Sequence, residues 1–189
     1  SVIKVHLKGT FAPSHFAAAY WRDQSKAGKP VDGRIINTTS VSGIYGNIGQ
    51  ANYGAAKAGI AAFTVITALE LARYGVTVNA VAPVALTRMT ENLQPTPPTD
   101  EEREAQSPRW IAPIVTWLAS AESKDVTGRV FETSGRSFAV AEGWVRGPSH
   151  DPVDDPTRLG PIVEELLAKS RANSGMDGRP GSWPQPQKK

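Results

Sequence analysis

Two short β-branched runs, residues 34–39 (RIINTT) and 76–81 (VTVNAV), stand on either side of a long stretch rich in helix formers, residues 51–73. That arrangement constrains the fold most. A connection of this length between two strands is a crossover and not a hairpin, so the strands run parallel. Runs that are apolar without alternation suit strands covered on both faces. Gly128 precedes a third short run, residues 129–132, and Gly75 is placed to end the helix. In such a sheet, sites form beyond the carboxyl ends of the strands. Ser40 directly follows the first strand, and the loop from Pro83 to Thr87 follows the second. Both loops therefore belong on one edge.

The flanks are simpler. Residues 2–25 carry a rough apolar stripe (Val2, Val5, Leu7, Phe11, Phe16, Ala17, Tyr20) and predict a helix, with Pro13 early in it. Residues 40–50 read as a loop with Gly43, Gly46 and Gly49, and residues 94–107 as an exposed Pro- and charge-rich stretch. Residues 108–120 predict a helix with Trp110, Ile114, Trp117 and Leu118 on its face. Residues 147–156 read as a linker, 161–171 as a short amphipathic helix, and 172–189 as a tail without fixed structure. The expected division is residues 1–146 as the main domain and 147–189 as an extension.

Composition narrows the function. The net charge of +3 in 189 residues is mild, and Arg171, Arg179, Lys188 and Lys189 in the tail supply part of it. The remaining basic residues are dispersed without aromatic interleaving, so no nucleic-acid partner is expected. Without cysteine there are no disulfides and no zinc-thiolate sites. No apolar run was expected to approach the ~20 residues that cross a bilayer, and no signal peptide is visible. The expectation is a cytoplasmic protein that does not engage a membrane. The chain begins at Ser1 in mid-pattern and ends Gln187-Lys188-Lys189, without a peroxisomal Ser-Lys-Leu address. The expectation is a partial or processed chain.

The chemistry concentrates in INTTSVSGIYGNIGQANYGAAK. Tyr53 and Lys57 are four residues apart, which places them on one helix face with Cβ atoms ~6 Å apart. A tyrosine that trades protons near neutrality must fall roughly 2–3 pH units from ~10, about 3–4 kcal/mol. A helix N-terminus contributes at most ~1 kcal/mol. A cation ~5 Å away contributes ~3 kcal/mol at an effective dielectric of ~20, so the lysine is the larger influence. Ser40 has no GxSxG setting and no histidine at a suggestive spacing, so it is not read as a hydrolase nucleophile. A hydrogen-bond donor to a substrate oxygen is the better role. Tyr-x-x-x-Lys alone occurs often by chance; Ser40 at a strand end and the Gly-rich loop between them strengthen the reading.

With these residues in view, the chain resembles the catalytic half of the short-chain dehydrogenase/reductase family. The likeness runs from Val5-His6-Leu7-Lys8-Gly9-Thr10-Phe11 to Phe131-Glu132. It implies a doubly wound parallel α/β (Rossmann-like) sheet whose N-terminal part is missing. It also implies that Ser40, Tyr53 and Lys57 are catalytic, with Tyr53 passing the proton, Ser40 holding the oxygen and Lys57 bonding the nicotinamide ribose. NAD or NADP is the implied cofactor. Tyr53, Lys57, Pro83, Val84 and Thr87 are the implied cofactor residues; Val84 stands where the family has glycine. A finer likeness, in IYGNIGQANY-AAK, Arg88-Met89-Thr90 and Gly128-Arg129-Val130-Phe131-Glu132, is to (3R)-hydroxyacyl-CoA dehydrogenase units of multifunctional β-oxidation enzymes and their bacterial relatives. That implies an acyl thioester substrate, with the loop 43–52 lining its site. A 3-oxoacyl-carrier-protein reductase and a truncated remnant that only oligomerises are the alternatives.

The resemblance places His6 where many members carry an asparagine that relays protons to the lysine; relay and packing both stay open. It implies a homodimer or homotetramer formed through helices 2–25 and 51–73. No metal is expected, since His15 and His150 lack a cluster of ligands. Asn52 or Gln50 is expected to cap the helix or orient substrate, Asn79 to be structural, and Trp144 to pack. No TGxxxGxG loop, adenine-ribose acid or Asn-Ala-Gly segment is present. The expectation is weak cofactor affinity, an exposed edge on the strand at 34–39, and poor folding or inactivity of this chain alone.

Overall fold

The computed structural model describes residues 1–87, 90 and 97–183. It divides into two compact units, Ser1–Glu142 and Gly143–Lys189, a few residues before the expected boundary.

The first unit is built on a four-stranded sheet in the order β1 (Gly33–Thr38), β2 (Val76–Pro83), β3 (Val130–Thr133), β4 (Phe138–Ala141). β1, β2 and β3 are parallel, with Thr38 beside Val81 and Ala82 beside Glu132. β4 returns antiparallel on β3. It was not anticipated: three of its four residues are exposed, so it has no buried pattern to read. The turn before it is held by Ser134 and Ser137, whose backbone and hydroxyl groups bond one another.

Both faces of the sheet are covered, which explains why seven consecutive residues of β2 are buried. On one face Ile35, Val76 and Val78 pack with Ala68 and Leu71 of helix α3 (Ala51–Leu71), joined by Ala18 and Trp21 of helix α1 (Gly9–Lys26). On the other, Val81 and Phe131 meet Ile114 and Leu118 of helix α5 (Ala112–Ala119). Helix α3 is tied down by a stripe of buried residues at helical spacing: Ala56, Lys57, Ile60, Thr64, Thr67, Ala68 and Leu71. A 3-10 turn, Ala72–Tyr74, follows it, and Gly75 ends the pair at φ 75°, a left-handed conformation that a side chain would strain.

Helix α3 with that 3-10 turn, Ala51–Tyr74, is long and apolar enough by length and composition to cross a membrane. This departs from the expectation that no run approached that length. Its buried stripe packs on the sheet and it carries a buried lysine, which are the features of a core helix.

Other elements sharpen the reading. A one-turn helix, α2 (Val41–Ile44), occupies the start of what reads as a loop. Helix α4 (Asp100–Ala105) lies in the stretch read as exposed, Pro- and charge-rich, for which no helix was expected, and Thr99 and Glu102 close a reciprocal capping box at its start. Arg88, Met89 and residues 94–96 lie outside the described residues. Asn79 is structural as expected: its amide donates to the Val126 carbonyl at 2.8 Å and its oxygen accepts from Arg129 N at 3.1 Å.

In the second unit, helix α6 (Leu159–Lys169) stands where a short helix was anticipated. Residues 172–183 are not featureless: Ser174 bridges Pro180, and Ser182 Oγ accepts from Gly175 N at 2.8 Å. Residues 184–189 of the expected tail lie outside the described residues. Trp144 is fully exposed, so it does not pack as expected.

Candidate active site

The carboxyl ends of β1 and β2 lie side by side, so the segments after Thr38 and after Pro83 share one edge of the sheet. The first is clasped to α3 at Lys57. Thr39 Oγ1 donates to the Lys57 carbonyl at 2.6 Å, and Lys57 Nζ donates to the Thr38 carbonyl at 2.9 Å. Neither threonine was singled out from sequence, because their roles depend on a contact across 18 or 19 residues.

Two glycines let α2 close on α3. A Cβ on Gly43 would come within 2.5 Å of Ala58 N and 2.7 Å of the Lys57 carbonyl carbon. One on Gly54 would stand 3.0 Å from the Ser42 carbonyl oxygen. Thr39 and Ser42, on either side of Ser40, thus both lie against α3. Ser40 caps α2, its Oγ accepting from Ser42 N at 3.2 Å. That bond uses a lone pair and leaves the hydroxyl proton for a ligand.

Tyr53 is half-buried in the first turn of α3, and its own N–H is satisfied by Asn52 Oδ1 at 2.7 Å. This is the capping role expected of Asn52; Gln50 precedes the helix without a side-chain cap. Lys57 is 7% exposed and its Nζ lies 5.7 Å from the centre of the Tyr53 ring. Burial pushes the Lys57 ammonium below its ordinary pKa, because the charged form loses water. The structure brings Tyr53 and Lys57 together and ties Thr38 and Thr39, the residues just before Ser40, to Lys57.

His6 joins them from the other side. It lies in a π-helical turn, Lys4–Lys8, that leads into α1, and its ring meets Tyr53 edge-on with centroids 5.2 Å apart. Such turns recur at functional sites. The π turn could not be anticipated from the sequence, where the segment simply continues the helical stripe.

The second loop presents Pro83 at the end of β2 and Val84 just beyond. Val84 N donates to the Thr133 carbonyl at 2.9 Å, so Val84 can offer a ligand its carbonyl but not its N–H. Thr87 sits in a turn in which its N–H donates to Thr90 Oγ1 at 2.8 Å. Among the described residues no group of His, Asp or Glu is placed to hold a metal ion.

A buried ammonium under a phenol, with a hydroxyl beside it on a parallel sheet's carboxyl edge, is a proton-handling site suited to a carbonyl or alcohol oxygen. The chain is similar to several known proteins. The hydroxyacyl-CoA dehydrogenase ChsB1 of Mycobacterium tuberculosis is 45% identical over 175 residues, covering 89% of this chain and 55% of that protein. The peroxisomal hydratase-dehydrogenase-epimerase of Neurospora crassa is 38% identical over 145 residues, 77% of this chain and 15% of that protein. A crystal structure of a short chain dehydrogenase from Mycobacterium avium superposes with a TM-score of 0.79 at 51% identity, covering 92% of this chain and 56% of that one. The chain therefore spans about half the length of the Mycobacterium tuberculosis and Mycobacterium avium proteins that it matches. The family model described as short chain dehydrogenase matches residues 1–98, more than half of the chain. On the fold, the site and these likenesses together, the chain belongs to the short-chain dehydrogenase family of oxidoreductases.

Proposed function

We propose that the Ser40–Tyr53–Lys57 site interconverts a secondary alcohol and its ketone, with NAD or NADP as hydride partner and a 3-hydroxyacyl or 3-oxoacyl thioester as substrate. The observation that carries this is the clasp at Lys57. Its ammonium is fixed by the Thr38 carbonyl at 2.9 Å and lies 5.7 Å from the centre of the Tyr53 ring, where a cation favours the phenolate. In the oxidation, Tyr53 as the phenolate takes the hydroxyl proton and becomes the neutral phenol, while Ser40 Oγ keeps its proton and donates a hydrogen bond to the substrate oxygen. Lys57 stabilises the phenolate that exists before this transfer. The bound nicotinamide supplies the acceptor for the hydride.

The residues present suit the nicotinamide end of a dinucleotide. Lys57 and Tyr53 offer donors for ribose hydroxyls, and the Val84 carbonyl, Thr87 and the rigid Pro83 suit a carboxamide. The sequence contains no GxGxxG or TGxxxGxG loop to cradle the pyrophosphate. We infer that this chain alone holds a dinucleotide weakly. The acyl thioester is supported by the likeness to hydroxyacyl-CoA dehydrogenases.

The partner is a second copy of the chain, in a dimer or tetramer. Helices α1 and α3 expose Phe16, Tyr20, Ile66 and Leu69, the last 78% exposed, on the helices proposed to mediate assembly.

The test is an absorbance assay at 340 nm with 3-hydroxyacyl-CoA and with the matching carrier-protein thioester, on the gene product including whatever precedes Ser1. NAD(P)-dependent turnover of the CoA ester, lost in Tyr53→Phe, is the expected result. Preference for the carrier-protein ester reassigns the substrate. Equal turnover by Tyr53→Phe removes the proposed role of Tyr53.

A further inference from the structure

Tyr45 ends α2, and its ring packs against Val41, Ala80, Ala82 and Val130. Its phenol donates to Glu132 Oε1, 87 residues further along the chain. Glu132 lies on β3 beside Ala82 of β2 and two residues from Val130, so its side chain leaves the sheet on the α3 face. The contact ties the segment after β1 to the carboxyl end of β3. It is the last inward anchor before α3. Residues 46–49 are exposed, and Gly46 and Gly49 adopt φ of 82° and 80°. That stretch is closed only locally, by Gln50 N to the Asn47 carbonyl at 3.2 Å and Asn47 Nδ2 to Gln50 Oε1 at 3.0 Å.

We propose that Glu132 is a positioning residue, which by accepting the Tyr45 hydroxyl fixes the segment 40–50 and with it the Ser40 hydroxyl at the substrate oxygen. The role at substrate rests on the function proposed above; the anchoring does not. Two features suit the pair to this task. The bond reaches across three strands' worth of fold, so it acts on the segment from outside it. Burial, and then the bond to the Glu132 carboxylate, hold the Tyr45 phenol well above its ordinary pKa of 10.0, which keeps it a donor throughout the working pH range. A charged acceptor makes the bond stronger than a neutral one.

The experiment is hydrogen–deuterium exchange on this chain, comparing wild type with Tyr45→Phe, Glu132→Ala and Glu132→Gln. Tyr45→Phe keeps the packed ring and removes only the hydroxyl. Losing a hydrogen bond to a charged group is expected to raise exchange in residues 40–50 by about tenfold. Exchange in β2 is expected to stay within about twofold. Glu132→Gln, whose amide oxygen can still accept, is expected to retain most of the protection. On the upstream-extended protein, the account expects kcat/KM to fall about tenfold in Tyr45→Phe and Glu132→Ala, with partial rescue in Glu132→Gln. Unchanged exchange in 40–50 for Tyr45→Phe, or a uniform rise across the sheet, overturns the proposal. So does altered exchange with kcat/KM equal to wild type. If wild type shows no dehydrogenase activity while the 40–50 pattern holds, the anchoring is supported and the reading of function is what fails.

Discussion

Lys57 occupies a position that stability alone would not select. Its ammonium is nearly buried, held by one carbonyl, and burial lowers its pKa. A lowered pKa in the folded state means that folding is penalised while the group is charged. As pH rises through that lowered value towards the ordinary 10.5, the folded chain gives up the proton before the unfolded chain does, and the penalty lifts. Urea midpoints measured across this window should therefore rise for wild type relative to Lys57→Met; parallel curves would show that Lys57 carries no such cost. Gly43 is the second telling residue. A methyl group there meets the α3 backbone at 2.5–2.7 Å, where neither partner is a flexible side chain. Gly43→Ala is expected to lower stability by about 1–3 kcal/mol in chemical denaturation, and a change within 0.5 kcal/mol would mean that α2 moves aside freely. Tyr53→Phe is expected to lower turnover by about 100- to 10,000-fold with little loss of stability, the pattern of a removed acid–base group.

Elements were legible where a local pattern carried them. Helix α3 and β2 follow from composition and a glycine stop, and their parallel pairing follows from the length of the crossover. Tyr53 and Lys57 stand together, with Nζ 5.7 Å from the ring centre, because their four-residue spacing is a local helix pattern. What escaped notice falls into two kinds. Some signals are local and present: Thr99 and Glu102 have the spacing of a capping box, and they start α4 inside the exposed Pro- and charge-rich stretch. Thr99→Ala should raise exchange in Asp100–Ala105 and cost about 1 kcal/mol of local stability. Unchanged exchange there would show that the box is not what holds α4. Other features had no local signal at all. The exposed strand β4 lacks alternation, and Tyr45 finds Glu132 only because β3 folds beside β2.

At the scale of the molecule, among the described residues, the sheet ends in two unpaired edges, on β1 and on β4. Among the described residues β1 pairs only with β2, so its other edge is unpaired. A groove of about 500 Å³ runs between that edge and the segment around α1, lined by His6, Gly9, Trp21, Arg34 and Lys57. Arg34 Nη2 is buried there without a hydrogen-bond partner. The open β1 edge favours association, as do the exposed apolar residues of α1 and α3; the rest of the Arg34 guanidinium is paired with Asp32 and bonded to the Gly33 and Ser120 carbonyls. Light scattering coupled to size exclusion should therefore find this chain associated, and Leu69→Glu should weaken the part of that association that runs through α3. A monodisperse monomer would contradict both points. The most direct test of the central claim, that this is the nicotinamide-linked catalytic half of a dehydrogenase, is calorimetric titration with NAD and NADP. It should be run on this chain and on the same chain extended upstream in its gene. The account predicts binding by the extended chain and weak or no binding by this one. Binding of neither dinucleotide by the extended chain would contradict it and leave Ser40, Tyr53 and Lys57 as the relic of a site.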